Sequence, residues 1–176
     1  VPQPKGPGKN WQEEDIAPLL AGGLGNRNFE DGKNMFAATT CITCHSMGGA
    51  GENIGPDLTQ LGTRFSPEDM LKSIIGPSAV ISDQYNTTTF SLKNGQAVVG
   101  RIVNEDQQNY TISQNPYAPE VTRTIPKDQV TGKAQSTVSL MPPGTINRLN
   151  PDELKDLLAY LVAGGNPDNA IYKDAK

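Results

Sequence analysis

The sequence predicts an α+β protein, with helices at both ends of the chain and a small antiparallel β-sheet or barrel between them. Two helix starts carry capping chemistry, Ser66-Pro67-Glu68-Asp69 and Asn150-Pro151-Asp152-Glu153, and each opens an apolar stripe of helical period. Between about residues 80 and 138 the period changes to alternation, with an Asn94-Gly95 turn inside it.

The 176 residues suffice for one generous domain or a small domain with a large insertion. Only 35% are hydrophobic, with 18 Gly and 14 Pro, so loops take much of the length. A core this thin suits completion by a non-protein group. The net charge of −4 and the lack of any basic run argue against nucleic acid and anionic membrane surfaces as partners. No stretch approaches the roughly 18 apolar residues that span a bilayer. The start at Val1-Pro2-Gln3-Pro4 reads as a processed or trimmed end, so the missing signal peptide says nothing about export.

Residues 1–10 are rich in Pro, Gly and Lys and read as a flexible leader or linker. A short helix is expected over 11–20, with Trp11, Ile16, Leu19 and Leu20 as its apolar contacts, ending at a Gly-rich stretch. Asn28 reads as the N-cap of a second helix running to about Thr40, with Glu30 and Asp31 in its first turn and Phe29 and Phe36 on one face. A Gly-rich loop ends in Gly55-Pro56-Asp57-Leu58. The third helix follows Ser66, with Met70, Leu71, Ile74 and Ile75 as its stripe and Gly76-Pro77 as its stop. Strands are expected at 85–92, 97–103, Asn109–Ser113 and 121–125. Ser139-Leu140-Met141-Pro142-Pro143-Gly144 is a stiff loop that cannot be helical. The last helix carries Leu154, Leu157, Leu158, Leu161 and Val162 and closes at Gly164-Gly165. No internal repeat is visible.

The chain holds two cysteines and one histidine, and all three fall in Cys41-Ile42-Thr43-Cys44-His45. Cys-x-x-Cys-His is the c-type haem attachment signature: two thiols reach the two vinyl groups of one haem, and the next residue offers its imidazole to the iron. A thioredoxin-like Cys-x-x-Cys follows a strand, whereas a helical segment precedes this one. Structural zinc takes four ligands, and the chain has three Cys and His residues in all. The expected cofactor is one covalently attached haem c, with His45 on its iron.

With His45 the sole histidine, the sixth iron position falls to a methionine, another side chain, water or a partner. Met47 is two residues from His45 and confined to its side of the haem. Met35 lies on the helix entering the motif, and Met70 on an apolar stripe where packing explains it. Met141 sits in the proline-stiffened loop, far along the chain, and is the expected ligand. Its alternative is ordinary burial in a turn. A His/Met pair fills both axial positions and raises the reduction potential.

Taken together, the helix, the haem motif, the Gly-Pro-x-Leu loop, the Met loop and the terminal amphipathic helix resemble class I cytochrome c. More narrowly, the chain is similar to a haem-binding domain known from Pirellula and Verrucomicrobium-type bacteria. The residues that carry this are Cys41 to His45, Gly55-Pro56-Asp57-Leu58-Thr59, Pro77-Ser78-Ala79-Val80-Ile81, Ser139-Leu140-Met141-Pro142 and Asp156-Leu157-Leu158-Ala159-Tyr160-Leu161. The resemblance implies an all-α haem core over 11–79 plus 139–165, a β insertion over 80–138 and a tail over 166–176. It implies Met141 as distal ligand, and a Pro56 carbonyl that accepts a hydrogen bond from His45 and tunes its basicity. Pro56 as a plain turn proline is the alternative. Arg64 has two readings, a partner for a haem propionate or a solvated surface cation.

The expected function is single-electron transfer rather than catalysis, with a redox partner that is a dehydrogenase or another oxidoreductase. The resemblance implies a periplasmic or otherwise exported protein, since bacterial haem attachment takes place outside the cytoplasm. The rival is a haem sensor or peroxidase-like domain with a displaceable distal ligand. The β block is either a docking module or a structural cover for a haem edge.

Overall fold

Capping side chains placed where the sequence puts them start the three longest helices of the computed structural model, which describes residues 1–173. The chain divides into two units, Val1–Pro77 with the segment from Pro142 onward, and Ser78–Met141. The first carries α1 (Ile16–Leu20), α2 (Phe29–Ala38), a minimal hairpin of β1 (Ser46–Met47) and β2 (Ala50–Gly51), α3 (Leu61–Arg64), α4 (Pro67–Ile75) and α5 (Pro151–Ala163). The second carries β3 (Thr88–Leu92), β4 (Ala97–Glu105), β5 (Asn109–Ser113), β6 (Thr122–Pro126) and β7 (Val130–Gln135). The protein is thus mixed α+β.

In the first unit, Asn150 Oδ1 accepts from Glu153 N at 2.8 Å, and Glu153 Oε1 accepts from Asn150 N at 3.1 Å. This reciprocal box satisfies two backbone donors that a helix start leaves open. The buried face of α5 is Leu154, Leu157, Leu158, Tyr160 and Leu161, and the left-handed Gly164 (φ 63°) ends it. It packs on α2, whose Gly32 leaves no room for a side chain: a Cβ there would lie 2.7 Å from Tyr160 Cβ. Phe36 and Phe29 flank the Tyr160 ring at 5.3 and 5.4 Å between centroids. α4 is capped by Ser66 Oγ, which accepts from Asp69 N at 3.1 Å, and buries Met70, Leu71 and Ile74.

Five features differ from expectation. Residues 1–10 are not a loose leader: Lys5 N and Gly6 N donate to the Glu153 carboxylate at 2.6 and 3.0 Å, and Asn150 Nδ2 donates to Gly6 O at 3.1 Å. Composition reports the lack of an apolar stripe, but not the carboxylate that receives the backbone. The helix expected over 11–20 is shorter, a 3-10 turn at Glu13–Asp15 leading into α1. α3 is a four-residue helix too short to show a period, and a Cβ on its Gly62 would meet the backbone of Val162 in α5. The Gly-rich loop after His45 folds on itself, with Ser46 opposite Gly51 and Met47 opposite Ala50. The tail holds a 3-10 turn, Ala170–Tyr172, whose Tyr172 ring meets Phe29 edge-on at 5.6 Å; its last three residues lie outside the described ones.

The second unit is one antiparallel sheet of order β6-β5-β4-β3-β7. Among the described residues β6 and β7 are its edges, so the ladder is open rather than a closed barrel. The β3–β4 connection bends at Gly95 (φ 85°), where Gly95 N donates to Leu92 O at 3.0 Å and Leu92 N to Gln96 O at 2.9 Å. Phe90, Val98, Ile112 and Ile125 form the core, with Leu92, Ile102, Tyr110 and Val130 against it. Burying one side chain of this size contributes about 1.5–3 kcal/mol. β7 has no alternation in its sequence because, as an edge, it exposes most of its residues.

Candidate functional site

The site begins where α2 stops. Thr39 turns its hydroxyl back to donate to Met35 O at 2.7 Å, and Thr40 adopts a left-handed conformation (φ 67°) that no helix can continue. Cys41–Thr43 then makes one 3-10 turn. Cys44 N and His45 N both donate to Cys41 O, at 3.1 and 2.9 Å, which gathers both thiols and the imidazole within a single turn.

Both cysteines are unpaired and half-buried. Burial pushes the Cys41 thiol above its ordinary value, opposed by the Thr39 hydroxyl 3.3 Å from its sulfur. It therefore stays a thiol at neutral pH, unlike the acidic cysteine of a redox dithiol. Among the described residues no group of three His, Cys, Asp or Glu side chains converges to hold a metal ion.

His45 Nδ1 lies 2.7 Å from the Pro56 carbonyl oxygen. A carbonyl can only accept, so Nδ1 carries the proton and Nε2 keeps its lone pair for a metal. Burial depresses the His45 pKa, and the Pro56 carbonyl only partly offsets this, so the ring is neutral. Gly55 is needed for the approach: a Cβ there would lie 2.7 Å from His45 Cε1 and 3.0 Å from Nδ1. Gly55 N donates to Cys44 O at 2.7 Å, and Leu58 N to Ser46 O at 2.8 Å, lacing the Gly-Pro loop to the Cys-x-x-Cys-His segment. Ser46 Oγ donates to Asp57 Oδ2 at 2.7 Å. The Thr59 and Ser46 bonds hold the Asp57 carboxyl below the usual range.

Cys41, Cys44, His45 and Pro56 are thus brought together. Met35, Met47 and Met70 are core residues of the first unit, at 6%, 3% and 3% exposure. Met141 is the last residue of the second unit, half-buried, and its N donates to Ser139 Oγ at 3.1 Å. Arg64 ends α3, is exposed, and has its guanidinium carbon 5.9 Å from the Phe65 ring centre. Gly55, Ser46 and Asp57 received no role from the sequence. The Gly-Pro dipeptide was a visible signal for the first, whereas nothing marks a serine whose partner stands eleven residues away.

The residues fit a covalently attached haem: two free thiols on one turn, a metal-ready Nε2, and a neighbour stripped to glycine beside the ring. No helix among the described residues is long and apolar enough to cross a membrane. No curated protein matches the chain. Residues 29–112, from the start of α2 to the buried end of β5, match the family model of cytochrome c, and that match supports a cytochrome c domain over this part of the chain.

Proposed function

We propose that the chain is a monohaem c-type cytochrome that passes single electrons, with Cys41 and Cys44 as the thioether anchors and His45 and Met141 as the axial ligands. The observation that carries this is the His45 Nδ1–Pro56 bond, which fixes the ring tautomer and leaves Nε2 for iron. A bound haem c supplies the one-electron iron couple. The single Cys-x-x-Cys-His sets the count at one haem. Cys41 and Cys44 become thioethers, so neither remains for a disulfide. Met141 is supported by elimination, since the other three methionines fill the first unit's own core. Arg64, exposed and without an ion pair among the described residues, is offered as a propionate partner.

Covalent attachment, which in bacteria takes place outside the cytoplasm, supports a periplasmic or otherwise exported location. Its redox partner is a dehydrogenase or another oxidoreductase. Two spectra test the proposal. Alkaline pyridine should give a haemochrome of one haem per chain that resists acid–acetone extraction. The ferric protein should show the weak near-red sulfur-to-iron band, and Met141→Ala should abolish it. A colourless protein matured in a competent host overturns the haem; a band that survives Met141→Ala moves the ligand elsewhere.

A further inference from the structure

Pro56 poses an anchoring problem. Proline has no N–H to donate across to the haem motif, and its carbonyl is taken by His45. Its position is therefore set by its neighbours. Gly55 N holds one side through Cys44 O. On the other side the Asp57 carboxylate is gripped twice, by Ser46 Oγ at 2.7 Å and by Thr59 N at 2.8 Å. Thr59 is held in turn, its Oγ1 accepting from Gly48 N at 2.8 Å.

Ser46 is the residue next to His45 and only 6% exposed, so its hydroxyl is shielded, whereas the Asp57 carboxylate that receives it is exposed and is held by its two bonds rather than by burial. Asn53 Oδ1 also stands 2.9 Å from Ser46 Oγ. A hydroxyl has one proton, and the shorter, charge-assisted bond to the carboxylate takes it. Ser46 thus ties the residue after the ligand to the residue after the ligand's acceptor.

We propose that Ser46 and Asp57 are a positioning pair that holds the Pro56 carbonyl against His45 Nδ1 and so sets the basicity of the imidazole toward iron. The proposal rests on the haem-ligating role of His45 given above. A firmly accepted Nδ1 proton makes Nε2 a stronger donor, which favours ferric iron. Releasing the pair weakens that bond and moves the potential upward.

The test uses the haem-loaded protein and the variants Ser46→Ala, Asp57→Ala and Asp57→Asn, each checked for one haem per chain by pyridine haemochrome. The midpoint potential and the exchange rate of the His45 Nδ1 proton in the reduced protein are measured. Ser46→Ala and Asp57→Ala should each raise the potential and speed exchange about fivefold, the loss of one ordinary net hydrogen bond. Asp57→Asn should stay near wild type, because its amide can donate to Ser46 Oγ while Ser46 donates to Asn53. Loaded Ser46→Ala with unchanged potential and exchange overturns the positioning role. So does Asp57→Asn matching Asp57→Ala, since charge alone would then explain the effect. A wild-type chain without haem defeats the functional reading instead, and the haemochrome separates the two failures. The two alanine variants probe the bond from both ends, so either one that folds decides the matter.

Discussion

Gly32 of α2 and Tyr160 of α5 approach so closely that a Cβ on the glycine would come within 2.7 Å of the tyrosine Cβ. The helix that delivers Cys41, Cys44 and His45 is therefore seated on α5 by backbone contact. Gly32→Ala cannot be relieved by a side-chain rotation, because the backbone of Asp156 also stands in the way. Overpacking of this kind costs about 1–3 kcal/mol. The expected result is a lower urea midpoint at unchanged m-value and a smaller yield of haem-loaded protein. A midpoint equal to wild type would mean that the crossing is looser than the structure places it.

Acid should weaken the first unit through Glu153. Burial raises its pKa, but the N–H groups of Asn150, Lys5 and Gly6 outweigh that and hold the carboxyl below its ordinary value. A depressed folded pKa means that the unfolded chain takes up the proton first. The stabilisation is thus complete above about pH 4.3 and is lost as the pH falls through the lower folded value. Glu153→Gln should cost about 1 kcal/mol at neutral pH, and the gap to wild type should close on acidification. Urea midpoints taken from pH 7 downward check this; a gap that does not shrink would assign the loss to packing.

The parts of this fold that the sequence announces are those with a local chemical cause. Asn28, Ser66 and Asn150 name their helices because a cap bonds three residues ahead. Gly95 marks its turn because few other residues tolerate φ 85°. The parts that stay silent depend on partners far away in the chain. β7 pairs with β3 across some forty residues, Phe90 opposite Lys133, and shows no apolar alternation of its own. Residues 1–10 look like a linker until Glu153 appears beneath them. The site divides in the same way. Cys41, Cys44 and His45 are legible as a motif, and Pro56 through a family resemblance. Gly55 acts by leaving space and shows only as half of a Gly-Pro dipeptide, whereas Ser46 acts by reaching across a loop and leaves no pattern in one sequence.

The second unit should depend on Phe90. Its ring is fully buried, sits 5.0 Å from that of Tyr110, and belongs to the sheet core with Val98, Ile112 and Ile125. Phe90→Ala should destabilise the sheet by about 3–5 kcal/mol, the transfer loss plus an unfilled cavity. Amide hydrogen exchange in β3, β4 and β5 reports it directly. Protection within tenfold of wild type would mean that this core contributes less than its burial implies.

Met141 makes the sharpest functional prediction, because ligand access separates an electron carrier from a haem sensor or peroxidase-like domain. A sulfur on the sixth position must leave before carbon monoxide can bind to the reduced iron. Apparent affinity is then scaled down by the fraction of molecules in which the site is open. The wild-type reduced protein at neutral pH should bind carbon monoxide slowly and weakly. Met141→Ala should bind it at least about a hundredfold more tightly, since no competing ligand has to be displaced. The comparison requires equal haem content in the two proteins and is read from the Soret shift on titration. If wild type binds carbon monoxide rapidly and as tightly as Met141→Ala, the sixth position is open, and the electron-carrier reading gives way to ligand chemistry at the iron.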